Sequence, residues 1–366
     1  MSSDHILCLE VDKTDLAHTR ISDRTVKELR DGEVLMGIEN FAFTASNIAY
    51  ALHGESRKYW KFFPAANPGW GCIPAWGFLT VEESRCDDIE PGERFFGFVP
   101  TASKWVFAPD KIDDNGFLDG TAHRDLLPET YNRYHRLGAD PTYRADYENQ
   151  QLLFRPLFFT AFLLVRHLEL NDFYGAGHVV ISSASCKTAM ALSWLLRRRG
   201  IKTTGLTSHA GRAFAKNSQN YDGVVLYDEA KDTLKPEQTS VLIDFSGRDA
   251  LCKELHDLYG ENLAYCIRAG ETDWKAAMAA STPEMQPGPN AMEFVTSRYL
   301  EDNDLGINAR DLRADLAEEL LEFYGHASRW IKTVRALGSE AVQECYDRVL
   351  ADKTLASEGF VLSFEV

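Results

Sequence analysis

The sequence predicts an α/β protein in two parts, an antiparallel β domain and a doubly wound parallel sheet, and three observations carry that prediction. The chain has 366 residues, 45% of them apolar, which is long for one core and sufficient for two. Between Glu33 and Pro109, short apolar runs (VLMGIENFAF, WGFLTV, RFFGFVP, KWVFAP) are broken by Gly and Pro at the intervals of antiparallel strands. From residue 151 onward, runs of strand length alternate with segments of helix length, the order that builds βαβ units.

Residues 111–149 are polar and charged without a strong period, and read as an excursion or surface connection whose structure stays open. From Gly177 to Ser208 follow a strand (HVVISSA), a helix (CKTAMALSWLLRRRG) and a second strand (IKTTGLTS), then the strand-like runs GVVLYD, SVLIDFSG and NLAYCIRAG. Amphipathic helices are expected from Ala309 to Leu337 and from Glu340 to Leu350, and the closing FVLSFEV reads as a strand. That strand can pair back into the N-terminal β domain, which would then be discontinuous: residues 1–150 with 306–366, around a second domain at 151–305. Neither an internal repeat nor a low-complexity tract is present.

Charge and composition exclude several classes. With 39 Lys and Arg against 55 Asp and Glu, the formal charge of −16 would repel a phosphate backbone, and no basic patch offsets it, so no nucleic-acid partner is expected. No window approaches the uninterrupted apolar length that crosses a bilayer, and the N-terminus carries acids where a secretory signal carries bases. A cytoplasmic protein without a membrane partner is the expectation. Seven cysteines form an odd set with no CxxC pair and no His at ligand spacing, and HExxH is absent, so reduced structural thiols and no metal are expected.

The order of several segments resembles the medium-chain dehydrogenase/reductase superfamily, in particular its zinc-free quinone oxidoreductase and enoyl reductase branch. EVLMGIENFAFTASNIAYALHG is similar to that family's early strand, loop and helix. IEPGERFFGFVP is similar to its second signature, with the turn Pro91, Gly92, Glu93 and Arg94 before a strand. LFFTAFLL, SVLIDFSG, FVTSRYLED and EGFVLSF resemble, in order, the helix before the nucleotide domain, a strand ending beside the cofactor, a late loop and the terminal strand. The resemblance implies a GroES-like β domain plus a Rossmann doubly wound parallel-sheet domain, an uncharacterised domain-of-unknown-function branch, NADP(H) as cofactor, a small-molecule carbonyl substrate and a homodimer.

The nucleotide loop departs from the family. Ser183, Cys186 and Ala189 stand where the resemblance places glycines, amid Ser182, Ala184, Ser185, Lys187 and Thr188. Hydroxyls and one cation at a helix N-terminus can still meet a diphosphate. Two other readings of these residues stay open: a turn that caps the helix through Ser185 without a cofactor, and a degenerate P-loop at Cys186-Lys187-Thr188. After the second strand come Thr207, Ser208 and Arg212 with no acid, which favours NADPH over NADH if a cofactor binds. Thr160, Ser246, Gly247 and Phe294 complete the cofactor set that the resemblance implies.

For chemistry the resemblance points to Thr44, Asn47 and Tyr50, with Tyr50 a general acid or a hydrogen-bond donor. Turn capping and core packing are the competing roles. Thr44 and the lack of a Cys cluster imply that both zincs of the zinc-dependent relatives are missing. Trp60, Phe62, Phe63, Trp70 and Trp76 either line a cleft or pack as core. Two function classes follow: an NADPH-dependent reductase of a conjugated carbonyl, and a non-redox relative that acts as a scaffold or a cofactor-independent enzyme.

Overall fold

Short runs rich in Phe, Val and Ile form the strands of the first of two units into which the chain divides, Met1–Leu153 with Ile331–Val366; the second unit is Phe154–Trp330. The computed structural model describes residues 4–273, 291–302 and 309–365. In the first unit lie β1 (His5–Asp12), β2 (Thr19–Thr25), β3 (Val34–Phe43), β4 (Trp70–Cys72), β5 (Pro74–Ser84), β6 (Arg94–Pro100), β7 (Lys104–Phe107), β8 (Pro109–Asp113), β9 (Gly116–Asp119) and β10 (Arg133–Arg136). The second unit holds β11 (His178–Ile181), β12 (Lys202–Thr207), β13 (Gly223–Leu226), β14 (Ser240–Asp244), β15 (Leu263–Arg268) and β16 (Ala291–Glu293), and the chain then returns to the first with β17 (Lys332–Leu337) and β18 (Glu358–Ser363).

β2, β1 and β4 make a three-stranded sheet, and the order β17-β18-β3-β5-β6-β10-β9-β8, with β7 also on β3, makes the larger one. The terminal strand β18 pairs antiparallel with β3, Phe360 opposite Phe43, and the first unit is accordingly discontinuous in sequence. The helix Ser339–Leu350 is tied back to the N-terminal segments by Tyr346 Oη donating to Leu16 O at 2.6 Å and Gln343 Nε2 to Thr19 Oγ1 at 2.7 Å.

The six strands described in the second unit are parallel, in the order β13-β12-β11-β14-β15-β16. Chain progression reverses between β11 and β14, which is the topological switch point of a doubly wound sheet. β11 and β14 are buried along their whole length, as strands covered on both faces must be.

The structure departs from the sequence expectations in four places. Residues 111–149 are no surface excursion: β8, β9 and β10 extend the large sheet, and the intervening turn buries Arg124. That guanidinium is held by Asp119 at 2.9 Å, Phe62 O at 3.1 Å and Tyr134 Oη at 3.1 Å. The helix expected from Ala309 to Leu337 ends at Ala327, because Lys332–Leu337 pairs in parallel with β18, and tertiary pairing overrides the helical period. In consequence the chain rejoins the first unit at Ile331 rather than at residue 306, since Ala309–Ala327 packs Phe323 against Phe154, Phe158 and Trp194. Finally, the stretch Ala145–Leu170, with mean hydropathy 1.2, is long and apolar enough to cross a bilayer. Phe158, Phe162, Leu163, Leu164 and Leu168 within it are buried, which is what the core helix of a folded domain shows.

His326 sits at the end of the helix Ala309–Ala327, where Nε2–H donates to Asn220 Oδ1 at 2.7 Å and Nδ1 accepts from Arg329 at 2.9 Å. Burial, followed by the charges of Arg329 and Arg197, pushes its pKa down to about 4. The unfolded ring titrates near ~6.5, so between these values the unfolded chain binds more protons. The stability due to this ring is therefore complete above ~6.5, falls as pH drops toward about 4 and levels off below. Urea midpoints across that range should fall in the native protein and fall less in His326→Gln.

Candidate functional site

The carboxyl ends of β11 and β14 lie side by side, with Ile181 opposite Ile243, so the residues that follow them, Ser182 and Asp244, meet at the switch point. Asp244 is fully buried, and a carboxylate out of water must be compensated by donors. It accepts from Ser182 Oγ and Ser246 Oγ, each at 2.6 Å, from Ser246 N at 2.9 Å and from Gly247 N at 3.2 Å, with the Arg268 guanidinium 3.5 Å away. Ser182 Oγ in turn accepts from the backbone N–H of Phe245 at 2.8 Å. The β11 loop and the β14 loop are thereby one hydrogen-bonded body.

Ser183 comes next and adopts φ 50, the left-handed conformation that a glycine takes freely and that costs another residue about 1 kcal/mol. A left-handed turn thus forms here without a glycine. The side chains that replace glycines in this loop are accommodated from the opposite side. A Cβ on Gly205 would lie 2.6 Å from Ala184 Cβ, and one on Gly211 would lie 2.6 Å from Ser185 Oγ and 2.4 Å from Thr207 Oγ1. Missing Cβ atoms on the neighbouring strand and helix therefore make room for the Cβ atoms gained in the loop.

The helix Lys187–Arg198 opens from this loop, with Lys187 and Thr188 in its first turn. Its cap is Cys186, not the Ser185 considered from the sequence: Cys186 Sγ accepts from Ala189 N at 3.4 Å. Burial pushes the Cys186 thiol up to about 11, so it is a neutral cap and not a nucleophile. Ser185 Oγ instead accepts from Thr207 Oγ1 at 3.3 Å.

Thr207 ends β12, and Ser208 caps the helix His209–Asn217 through Gly211 N. The sequence shows no acid directly after β12, yet the fold supplies two from the end of β13. Arg212 pairs with Glu229 at 3.1 Å, and His209 with Asp228 at 3.2 Å. Thr160 Oγ1 donates to Pro156 O at 3.3 Å and meets Thr296 Oγ1 at 2.9 Å, while Phe294 packs on Tyr299 at 4.6 Å between ring centroids, so Thr160 and Phe294 share one neighbourhood around residues 294–299. Tyr227 and Thr272, which the sequence did not single out, both bond Ser183, and only the folded arrangement of β13 and β15 brings them there.

In the first unit, Thr44 and Asn47 form a reciprocal cap on the helix Ala45–Leu52. Asn47 Oδ1 accepts from Thr44 N at 2.8 Å, and its amide donates to Pro74 O at 3.0 Å. Their polar atoms are committed to the backbone, which is the capping role weighed against catalysis. Tyr50, three residues on, is half-buried among Tyr59, Phe98 and Tyr131, with ring centroids 4.7, 5.4 and 6.5 Å away. Burial raises its phenol well above the usual range, which keeps it protonated and makes it a hydrogen-bond donor in preference to a proton-transfer acid. Of the aromatic set, Trp60, Phe62 and Phe63 are core, and Trp70 stacks under Arg20 at 3.9 Å. Among the described residues no cluster of three or more His, Cys, Asp or Glu is arranged to hold a metal.

Asp244→Ala leaves two hydroxyls, two amides and Arg268 without their shared acceptor. It should lower unfolding stability by about 3 kcal/mol, whereas Asp244→Asn, which keeps one acceptor oxygen, should cost less. Denaturant midpoints of the three proteins measure the difference.

No curated protein matches the sequence. Solved structures match over nearly the whole chain at low identity. CurA from Vibrio vulnificus, in complex with NADPH, is similar at TM-score 0.63 and 10% identity, covering 99% of each chain. A mutant form of enoyl thioester reductase from Candida tropicalis gives 0.62 and 11%, covering 98% of this chain and 99% of that one. The yhdH oxidoreductase from Salmonella enterica, in complex with NADP, gives 0.56 and 16% over the same shares. The fold is that of the medium-chain dehydrogenase/reductase superfamily, with its mixed α/β architecture of an antiparallel and a parallel sheet. A family model described as "Protein of unknown function (DUF2855)" matches residues 41–355, and the chain belongs to that family.

Proposed function

We propose that the chain is a zinc-free reductase that takes NADP(H) at the switch point of the parallel sheet and reduces a small conjugated carbonyl compound. The observation that carries the reading is the left-handed turn at Ser183, which leads from the end of β11 into the N-terminus of Lys187–Arg198. Helix amides and the helix dipole favour an anion at such a terminus. The residues present fit a dinucleotide by donor chemistry: Ser185, Lys187 and Thr188 offer hydroxyls and a cation to a diphosphate. Ser208 and Arg212 offer the same to a ribose phosphate. The NADPH and NADP bound to the similar CurA and yhdH proteins support the assignment.

When bound, the cofactor supplies a hydride. In the second unit, Ser246, Gly247, Thr160 and Phe294 would hold the nicotinamide half in this reading. In the first unit, the protonated Tyr50 is the candidate hydrogen-bond donor to a carbonyl oxygen on which negative charge develops. A second copy of the chain as partner belongs to the same reading.

A cofactor-free function draws on one specific observation, that Ser183 already has partners of its own in Tyr227 and Thr272. The two readings separate on fluorescence titration with NADPH and on its consumption with an enone or a quinone. The reductase reading expects saturable binding and turnover, and absence of binding at saturating NADPH contradicts it. Arg212→Ala should weaken NADPH by about tenfold and leave NADH unchanged, the loss of one charge-assisted contact to the 2′-phosphate. Glu229→Gln, which releases Arg212 from its ion pair, should shift NADPH in the opposite direction.

A further inference from the structure

We infer that Tyr227 is a lock on the diphosphate position, so that a dinucleotide binds only when the tyrosine hydroxyl leaves Ser183; the inference rests on the reading of this loop as the NADP(H) site. Tyr227 follows β13, two strands away from the loop it touches. Its hydroxyl oxygen accepts the backbone N–H of Ser183 at 2.9 Å and lies 3.3 Å from Ser183 Oγ. Ser183 Oγ also lies 2.7 Å from Thr272 Oγ1, and Thr272 Oγ1 donates to Phe245 O at 3.0 Å.

The protons of this chain can be placed in one consistent way. Thr272 uses its only hydroxyl proton on Phe245 O, so Ser183 must donate to Thr272. Ser183 Oγ is then left to accept from Tyr227, while Tyr227 Oη accepts the Ser183 amide. The amide and hydroxyl of the residue in the left-handed turn are both saturated, and by side chains from two other loops.

The tyrosine is itself held. Arg248 lies over its ring at 5.0 Å from the centroid, and Arg248 Nε donates to Asp273 Oδ2 at 2.6 Å, beside Thr272. The loops after β13, β14 and β15 thus form a strap across the loop after β11. A phosphate oxygen is a charged acceptor and takes an amide hydrogen bond more strongly than a neutral phenol does. The phenol can therefore be displaced, but the bonds it gives up subtract from the cofactor's affinity.

Removing the hydroxyl removes that opposition. Tyr227→Phe should tighten NADPH on the order of fivefold, the worth of one net hydrogen bond. The gain should be equal for NADH, because both cofactors carry the same diphosphate; a 2′-phosphate effect would touch NADPH alone. Ser183→Gly, which suits φ 50 and deletes the bonded hydroxyl, should tighten both as well. Titrations of the native protein and the two variants with NADPH and NADH decide the matter. Tighter binding by the variants, or binding gained only by them, supports the lock. Equal or weaker binding by Tyr227→Phe overturns the lock and leaves the reductase reading in place. No binding by any of the three proteins overturns both.

Discussion

The buried carboxylate of Asp244 fixes the geometry on which the site depends. Its cost of desolvation is met only if the ends of β11 and β14 stay together, because its donors come from both: Ser182 from one side, Ser246 and Gly247 from the other. Ser182 is followed at once by the left-handed Ser183, and four residues later the helix Lys187–Arg198 begins. The direction of that helix N-terminus, and so the place where an anion would sit, is inherited from the Asp244 network.

A glycine-rich loop combines two physical properties, freedom at positive φ and absence of Cβ. In this chain they are separated. Ser183 accepts the backbone conformation at a local cost, and the space is transferred to Gly205 and Gly211, which face Ala184 and Ser185 from across the loop. The loop thereby presents hydroxyls where a glycine-rich loop presents bare backbone. A motif search for glycines inside the loop is blind to this exchange, because the compensating glycines lie in β12 and in the first turn of the following helix.

The strand, helix and strand from Gly177 to Ser208 was legible because its apolar runs and their lengths leave little choice. What was hidden is what depends on contacts distant in sequence. Residues 111–149 form strands because Arg124 finds Asp119 and Tyr134, a pairing that turns a polar segment into a core one. Lys332–Leu337 is a strand because β18 offers it an edge. Glu229 opposite Arg212, and Tyr227 on Ser183, arise from the folded loops after β13 and leave no local signature. Thr44 and Asn47 show the converse: their spacing is that of a capping box, and capping is what their atoms do.

The central claim is that the switch point of this glycine-free loop still receives a dinucleotide, against an internal competitor. A crystal structure of the chain grown with saturating NADPH tests it most directly. The account predicts the diphosphate at the N-terminus of Lys187–Arg198, with the Tyr227 hydroxyl withdrawn from the Ser183 amide. A loop without nucleotide, with Tyr227 still on Ser183 at saturating NADPH, would contradict it.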